Sequence, residues 1–115
     1  MLGTNMKQTL KSVALGLLLL LTNGSAVYAQ DLEKGFKAAQ EGDFATALSE
    51  WRPLAERGEA IAQQSLGFMY YNGQGVSQDY TEALKWYLLA ADQGVAGAQS
   101  NLALMYYNGQ GVKQD

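Results

Sequence analysis

Residues 62–76 have the sequence AQQSLGFMYYNGQGV, and residues 98–112 have the sequence AQSNLALMYYNGQGV. The second stretch therefore repeats the first after 36 residues. The same spacing relates other parts of the chain: Gly58 and Gly94, Ala47 and Ala83, Leu48 and Leu84, Trp51 and Tyr87, Phe44 and Tyr80. A fixed period of about 20–50 residues is the sequence signature of a repeat protein. One repeating unit thus sets the register of the chain from Phe44 onward.

The first part of each repeat is predicted to be a helix. Ala62, Leu66, Met69 and Tyr70 recur at helical spacing, so they share one apolar face. The segment 72–75 ends this helix, because its two glycines tolerate the left-handed backbone of a C-terminal cap.

The second part of each repeat is predicted to be another helix. Asp79 is a candidate N-cap, and Glu82 three residues later would complete a capping box. This helix carries Ala83, Leu84, Tyr87, Leu88 and Ala91, and Gly94 closes it.

The first hairpin differs from the later repeats. Its first helix has an apolar face made by Leu32, Phe36 and Ala39. The turn at Gly42 is shorter than the later glycine loop, and Asp43 is predicted to cap a helix over 44–57. Pro53 lies inside that helix and costs about 3 kcal/mol there. We therefore expect the helix to bend or break near Arg52.

Residues 1–29 are predicted to form an export signal. A start with two lysines precedes an apolar run at 13–21, and Val27 and Ala29 suit cleavage before Gln30. The apolar run is shorter than the about 20 residues that cross a bilayer, so no stable membrane anchor is expected after cleavage. A retained anchor is the alternative. The mature protein is expected to be periplasmic or secreted.

The charge of the chain argues against nucleic acid as a partner. The whole chain has eight basic and eleven acidic residues. Because Lys7 and Lys11 belong to the predicted signal, residues 30–115 keep six basic residues against all eleven acidic ones, a net charge of −5. An acidic surface without a basic cluster repels phosphate backbones.

The composition also argues against catalysis. The chain has no cysteine and no histidine, so no disulfide can form and the common nucleophile, base and metal-ligand sets are missing. No serine is followed by lysine three residues later. We therefore expect no enzyme activity, no metal and no cofactor, and stability from packing alone.

These motifs resemble the SEL-one-like repeat (SLR) family, a branch of the tetratricopeptide-like helical repeats. Three motifs carry the resemblance: Ala-x-x-x-Leu-Gly-x-Met-Tyr at 62–70, Gly-x-Gly-Val-x-x-Asp at 73–79, and Ala-Leu-x-Trp-Tyr-x-x-Ala-Ala-x-x-Gly at 83–94. The ordinary tetratricopeptide period is about 34, and the longer period here matches this branch. The resemblance implies an all-α fold, a right-handed superhelical α/α solenoid of antiparallel helix hairpins, that acts as a protein-interaction scaffold.

The resemblance also implies a domain organisation. A signal peptide at 1–29 precedes a tetratricopeptide-like hairpin at 30–57, a first SLR repeat at 58–94 and an incomplete second repeat at 95–115. In some secreted members a disulfide links the two helices of each hairpin, and this chain has no cysteine to form one. The partner of the last helix, about 95–108, should begin where the sequence stops. Either the chain is a fragment, or another molecule covers that face.

A comparison of the two copies separates packing from recognition. Positions that match are interpreted as shared core: Ala62 and Ala98, Leu66 and Leu102, Met69 and Met105, Tyr70 and Tyr106. Positions 61, 64 and 68 differ from their copies and lie along one side of the first helix. First helices line the concave surface in the resembled fold. The candidate ligand contacts are therefore Gln64, Phe68, Ser100 and Leu104, with Tyr71 and Tyr107 at the rim. Ordinary packing or a neutral solvent face is the alternative for each.

Three functions fit these observations. The first is a module that binds a protein or peptide ligand in the groove of the first helices. The second is a structural role, with self-association through the uncovered last helix. The third and weakest is binding of cell-wall glycan through Trp51, Trp86 and the tyrosines, although most of these rings are expected to be buried.

Overall fold

The structure, a computed structural model, describes residues 29–112. Nearly all described residues belong to one compact unit, Asp31–Asp115. The predicted export signal lies outside the described residues, apart from Ala29. None of the helices within 29–112 is long and apolar enough to cross a membrane.

Five helices account for the regular secondary structure of the described residues. The described part of α1 covers 29–40, and four helices of 13 residues follow: α2 (Phe44–Glu56), α3 (Ala60–Asn72), α4 (Tyr80–Asp92) and α5 (Ala96–Asn108). Each of α2 to α4 packs on the helix that follows it, most extensively α3 on α4. Residues 29–112 contain no strand, so the predicted all-α fold is confirmed.

Asp43 caps α2 as predicted. Its carboxylate accepts the Thr46 backbone N–H at 3.1 Å and the Thr46 hydroxyl at 2.6 Å. These two hydrogen bonds, the hydroxyl one first, hold the pKa of Asp43 below its ordinary value, because they stabilise the charged carboxylate.

Asp79 caps α4, but the predicted capping box is only half formed. The Asp79 carboxylate accepts the Glu82 N–H at 3.1 Å. The Asp79 N–H, however, donates to the Tyr70 carbonyl oxygen at 2.9 Å, and the Glu82 carboxylate lies 3.8 Å from Lys85 Nζ. Tyr70 is in the last turn of α3, where carbonyl oxygens have no partner within the helix. The prediction of a complete capping box was therefore wrong, because the Asp79 N–H bonds to the end of α3 and not to the Glu82 side chain.

A side chain caps the start of α3, and a glycine in the left-handed conformation ends it. Glu59 caps α3 by accepting the Ala62 N–H at 2.6 Å. Gly73 ends the helix in the left-handed conformation with φ of 67°, and Gly109 ends α5 in the same way. The predicted role of the first loop glycine is thus confirmed.

Helix α2 runs through Pro53 and ends three residues later. The Pro53 carbonyl oxygen accepts the Arg57 N–H at 3.2 Å, so the last turn is complete. The missing proline N–H deprives only the Ser49 carbonyl of a helical partner. The helix is therefore not broken near Arg52, because the proline lies one turn from the helix end and the following Leu54 and Ala55 are buried in the core.

Two clusters of buried side chains form the interior. The first joins α1, α2, α3 and Trp86 of α4, and the second joins α4 and α5. Tyr70 packs against both clusters, so the interior is continuous. Met69 and Met105 are both buried, as predicted for a shared core. Tyr106 was wrongly assigned to that core: it is 51% exposed, because no described helix follows α5 to cover it.

Glycines allow the two helices of a hairpin to approach closely. A Cβ atom at Gly67 would lie 2.7 Å from Cδ1 of the buried Tyr87 ring. A Cβ atom at Gly35 would overlap the Trp51 ring in the same manner. Trp51 and Tyr87 are 36 residues apart, whereas Gly35 and Gly67 are 32 apart, because the first turn is four residues shorter. The first hairpin therefore packs like a repeat, in a register that the 36-residue period does not show.

Candidate binding groove

A groove of about 510 Å³ opens beside α1 and α3. The first helices of two successive hairpins contribute most of its side chains, and α2, the loop after α3 and α5 contribute the rest. Its apolar surface consists of Phe36, Ala39, Phe44, Trp51, Ile61, Phe68 and Met69. Its polar surface consists of Gln40, Gln64, Ser65, Gln74 and Asn101. We refer to this site as the α1–α3 groove.

The floor of the α1–α3 groove is held by Trp51. Its indole N–H donates to the Leu32 carbonyl oxygen at 3.2 Å, which ties α2 to α1. The Phe36 ring meets the Trp51 ring edge to face, with centroids 5.0 Å apart. Trp51 is buried, whereas Phe36 is 42% exposed. Phe36 is thus fixed on one side and open to the groove on the other.

The α3 wall presents large apolar side chains to solvent. Ile61, Gln64 and Phe68 follow one another at helical spacing along one side of α3. Ile61 is 39% exposed and Phe68 is 52% exposed. Gly67, the neighbour of Phe68 in sequence, faces Tyr87, whereas the Phe68 side chain is half exposed. Phe68 is therefore accessible to a ligand from the groove.

The polar side chains of the groove are uncharged; the Ser65 hydroxyl donates to the Ile61 carbonyl oxygen at 2.9 Å, whereas the carboxamides are unpaired. No charged side chain lines the groove among the described residues. The carboxamides of Gln40, Gln64, Gln74 and Asn101 make no hydrogen bond to any other part of residues 29–112. Carboxamides elsewhere do form such bonds, in Gln63, Asn72, Gln78, Gln93 and Gln99. Donors and acceptors around the groove are therefore available to a ligand.

Gln64 also marks the junction with α5. Its amide nitrogen occupies the space that a side chain at Gly97 would fill. Position 97 corresponds to Ile61 in the preceding repeat, which lines the groove. A side chain at position 97 would therefore displace the end of the Gln64 side chain.

A smaller groove of about 100 Å³ lies beside α3 and α5. Phe68, Tyr71, Asn72, Tyr87, Asn101 and Leu104 line it. Phe68 and Asn101 line both grooves, so the two are adjacent. Burial raises the pKa of Tyr87 to about 12, and the neighbouring Tyr71 phenol adds to this effect. Tyr87 is consequently neutral at physiological pH.

The structure distributes the six predicted contact residues among different places. Gln64 and Phe68 line the α1–α3 groove, and Tyr71 and Leu104 line the smaller one. Ser100 is exposed and lines neither groove, and Tyr107, which is 86% exposed, also lies outside both.

Tyr71 has a structural role as well. Its hydroxyl donates to Gln110 Oε1 at 3.0 Å, which links the end of α3 to the loop after α5. Its ring lies 5.1 Å from the Tyr80 ring, centroid to centroid. Tyr71 thus connects two repeats in addition to forming the wall of a groove.

Sequence comparison did not identify Phe36 and Asn101 as contacts. Phe36 lies outside the 36-residue period, but a 32-residue offset aligns it with Phe68, as it aligns Gly35 with Gly67. That offset is the signal that could have found Phe36. Asn101 differs from Ser65 of the preceding repeat, and this difference was visible in the sequence without indicating which groove it lines.

The remaining side chains offer little for other chemistry. No group of three or more acidic, histidine or cysteine side chains within 29–112 could hold a metal ion. Trp51 and Trp86 are 4% and 6% exposed, so their rings leave little surface for a sugar to stack on.

The family comparison agrees with this architecture. The Sel1 repeat model matches residues 60–95 and 96–115. This chain contains Sel1 repeats. The Sel1 matches begin at the first residue of α3 and at the first residue of α5. The hairpin of α1 and α2 lies outside both matches, although it packs in the same way around Gly35 and Trp51.

Solved structures of Sel1-repeat proteins have the same fold. One is a protective antigen present in uropathogenic Escherichia coli strains that displays an SLR fold; it is 38% identical, with a TM-score of 0.72, over 85% of this chain and 22% of its own. Another is a Sel1 repeat protein from Oxalobacter formigenes; it is 30% identical, with a TM-score of 0.67, over 74% of this chain and 34% of its own. This chain therefore spans about a fifth to a third of these relatives. No curated protein sequence matches it. The fold is an α/α solenoid of the SLR type.

Proposed function

We propose that this chain is an exported scaffold that binds a protein or peptide segment in the α1–α3 groove. The observation that carries the proposal is the group of half-exposed apolar side chains, Phe36, Ile61 and Phe68, that converge on a groove of about 510 Å³. A groove of this size lies in the range that binds small ligands and peptide side chains. Clustered exposed apolar side chains mark interaction sites.

The family supports the binding part of the proposal. Sel1 repeats form scaffolds that are typical of protein–protein interaction. In such arrays each unit contacts only its neighbours, which leaves an extended surface along the first helices for a partner. The α1–α3 groove lies on that surface.

The leader sequence supports the export part of the proposal. It combines a basic start, a short apolar run and small residues before Gln30. Residues 30–115 contain no cysteine, so no disulfide forms in an oxidising compartment and the fold is the same there.

Replacement of Phe68 tests the groove. Peptides from a random displayed library are selected on the full chain, and their synthetic forms are titrated by fluorescence anisotropy. We expect Phe68→Ala to weaken binding about 10- to 100-fold, because burial of a phenylalanine side chain contributes about 1.5–3 kcal/mol.

Leu89→Ala is the matched control for this experiment. Leu89 is a large apolar side chain on α4 that is 40% exposed and lines neither groove. We expect it to bind the peptides like the parent chain, with both variants giving parental circular-dichroism spectra. Equal binding by Phe68→Ala and the parent would rule out the α1–α3 groove as the site, and a selection that enriches no peptide would rule out peptide binding itself.

A further inference from the structure

We infer that the ligand of the α1–α3 groove is an uncharged peptide segment, whose apolar side chains enter the groove and whose main-chain amides are bound by the free carboxamides around it. This inference rests on the proposed function and specifies the partner. It follows from three features of the groove: its charge, the hydrogen-bonding state of its polar side chains, and the chemistry of those side chains.

The charge of the groove contrasts with that of the chain. Residues 30–115 carry a net charge of −5, yet no acidic or basic side chain lines the groove among the described residues. A charged ligand group would lose its hydration in this groove and find no ion partner there. The lining thus selects against charged segments.

The carboxamides provide hydrogen bonds without charge. Gln40, Gln64, Gln74 and Asn101 line the groove together with the apolar residues, and none of their carboxamides hydrogen-bonds to another described residue. A carboxamide has an acceptor oxygen and a donor nitrogen. A peptide unit has one N–H donor and one carbonyl acceptor. Each carboxamide can therefore match a main-chain amide, which binds a backbone independently of its sequence.

The balance of the lining favours a peptide over a glycan. Sugar hydroxyls extend in all directions around the ring and need several polar partners for each residue. The groove instead has a mainly apolar lining, which includes Phe36, Phe44 and Ile61. The Trp51 ring is buried beneath Phe36, so it offers no flat face for sugar stacking. Large apolar side chains on a polar backbone fit this distribution.

The first test is the composition and salt dependence of the selected peptides. We expect the shared motif of library peptides bound by the full chain to contain two or more large apolar residues and no charged residue. Affinities of the synthetic peptides should change less than about twofold between roughly 0.05 and 0.5 M NaCl, because screening acts on charge pairs and none is formed. A motif with a required acidic or basic residue, or a strong loss of affinity in salt, overturns the inference.

The second test replaces the carboxamides. Gln64→Met and Asn101→Leu keep the side-chain shape but remove the hydrogen-bonding groups, and each should weaken the same peptides about 2- to 10-fold. Asn108→Leu is the matched control, since Asn108 is an exposed asparagine of α5 that lines neither groove, and it should bind like the parent. Unchanged binding by Gln64→Met and Asn101→Leu overturns the role of the carboxamides.

The outcomes separate this inference from the function on which it rests. One outcome is that peptides bind, that Phe68→Ala abolishes binding, and that the shared motif is charged. The proposed function then stands, and the inference that the ligand is uncharged is wrong. If no peptide binds and insoluble peptidoglycan retains the full chain but not Gln64→Met, the groove binds glycan and both are wrong. Circular dichroism of each variant shows that loss of binding does not come from unfolding.

Discussion

Trp51 and Trp86 are both buried, but they differ in the state of the indole N–H. Trp51 Nε1 donates to the Leu32 carbonyl oxygen at 3.2 Å. Trp86 Nε1 has no hydrogen-bond partner among the described residues. Lys85 lies over the Trp86 ring, with Nζ 4.9 Å from the centroid, and contacts its face rather than its N–H. Two tryptophans of similar burial thus contribute differently to stability.

Replacement of each tryptophan by phenylalanine should reveal this difference. Trp51→Phe removes a hydrogen bond and leaves the Leu32 carbonyl without it, whereas Trp86→Phe removes a buried donor that has no partner. Because both changes remove a similar volume, we expect Trp51→Phe to lower the free energy of unfolding by about 1–3 kcal/mol more than Trp86→Phe. Urea unfolding followed by circular dichroism measures the two values. Equal losses would mean that the Trp51 hydrogen bond adds nothing.

At the scale of elements, the second glycine of each loop joins one hairpin to the previous one. A Cβ atom at Gly75 would lie 2.9 Å from the Phe44 carbonyl oxygen, at the start of α2. A Cβ atom at Gly111 would lie 2.6 Å from the Tyr80 carbonyl oxygen, at the start of α4. The sequence indicated a turn role for both loop glycines, and Gly73 has that role. Gly75 has the further role of letting the loop rest on a neighbouring helix end.

Substitution by alanine separates backbone strain from this close approach. Gly75 and Gly94 both have positive φ, of 71° and 89°, but nothing lies within 4 Å of a Cβ atom at Gly94. Gly94→Ala should therefore cost about 1–2 kcal/mol from backbone strain alone. Gly75→Ala should cost about 1–3 kcal/mol more, because it also overlaps the Phe44 backbone. The comparison is made by urea unfolding, and the same loss in both variants would exclude the packing role of Gly75.

At the scale of the whole molecule, a chain of carboxamides links the hairpins. Gln93, directly after α4, donates to the Gly58 carbonyl oxygen at 2.9 Å and to Gln63 Oε1 at 2.8 Å. Gln63 is buried and donates in turn to the Ala55 carbonyl oxygen at 3.2 Å. The chain therefore connects the ends of α2 and α4 through α3. Gln99 repeats the bond of Gln63 in the next hairpin by donating to the Ala91 carbonyl oxygen.

Loss of the Gln93 side-chain bonds should weaken the coupling of the hairpins. Gln93→Met leaves the buried Gln63 oxygen without its donor, which costs about 1–3 kcal/mol. Gln99→Met is the control, because Gln99 is exposed and water replaces its bond. We expect Gln93→Met to unfold at a lower temperature and less cooperatively than the parent chain. Circular dichroism during heating measures both. A melting curve like that of Gln99→Met would show that this network does not couple the hairpins.

The sequence predicted most of the architecture because the same local patterns of helix faces and caps occur in both copies of the repeat. Helix faces, glycine caps and the aspartate caps depend on residues within a few positions of one another, and these predictions are confirmed at Asp43, Asp79 and Gly73. Two of the predictions that were wrong depended on a partner outside the helix concerned. The N–H of Asp79 bonds to Tyr70, and Tyr106 has no covering helix among the described residues.

The candidate groove was predicted only in part. The differences between the copies indicated Gln64 and Phe68, which lie on the open side of α3. They did not indicate Phe36, because the shorter first turn shifts its register, nor that Tyr71 bonds to Gln110. Periodicity shows which side of a helix is free, but only packing shows which free sides meet.

The sequence by itself determined that this protein is an array of helical hairpins, since a period of 36 residues with helical spacing and loop glycines has few other solutions. The tertiary structure decided what the array encloses. It brought Phe36, Phe68 and Asn101 to one groove, and it left the carboxamides of that groove unpaired while pairing the buried Gln63 with Gln93. The physical reason is that a side chain's own helix sets its direction, whereas its burial and hydrogen-bond partners come from helices that lie far away in sequence.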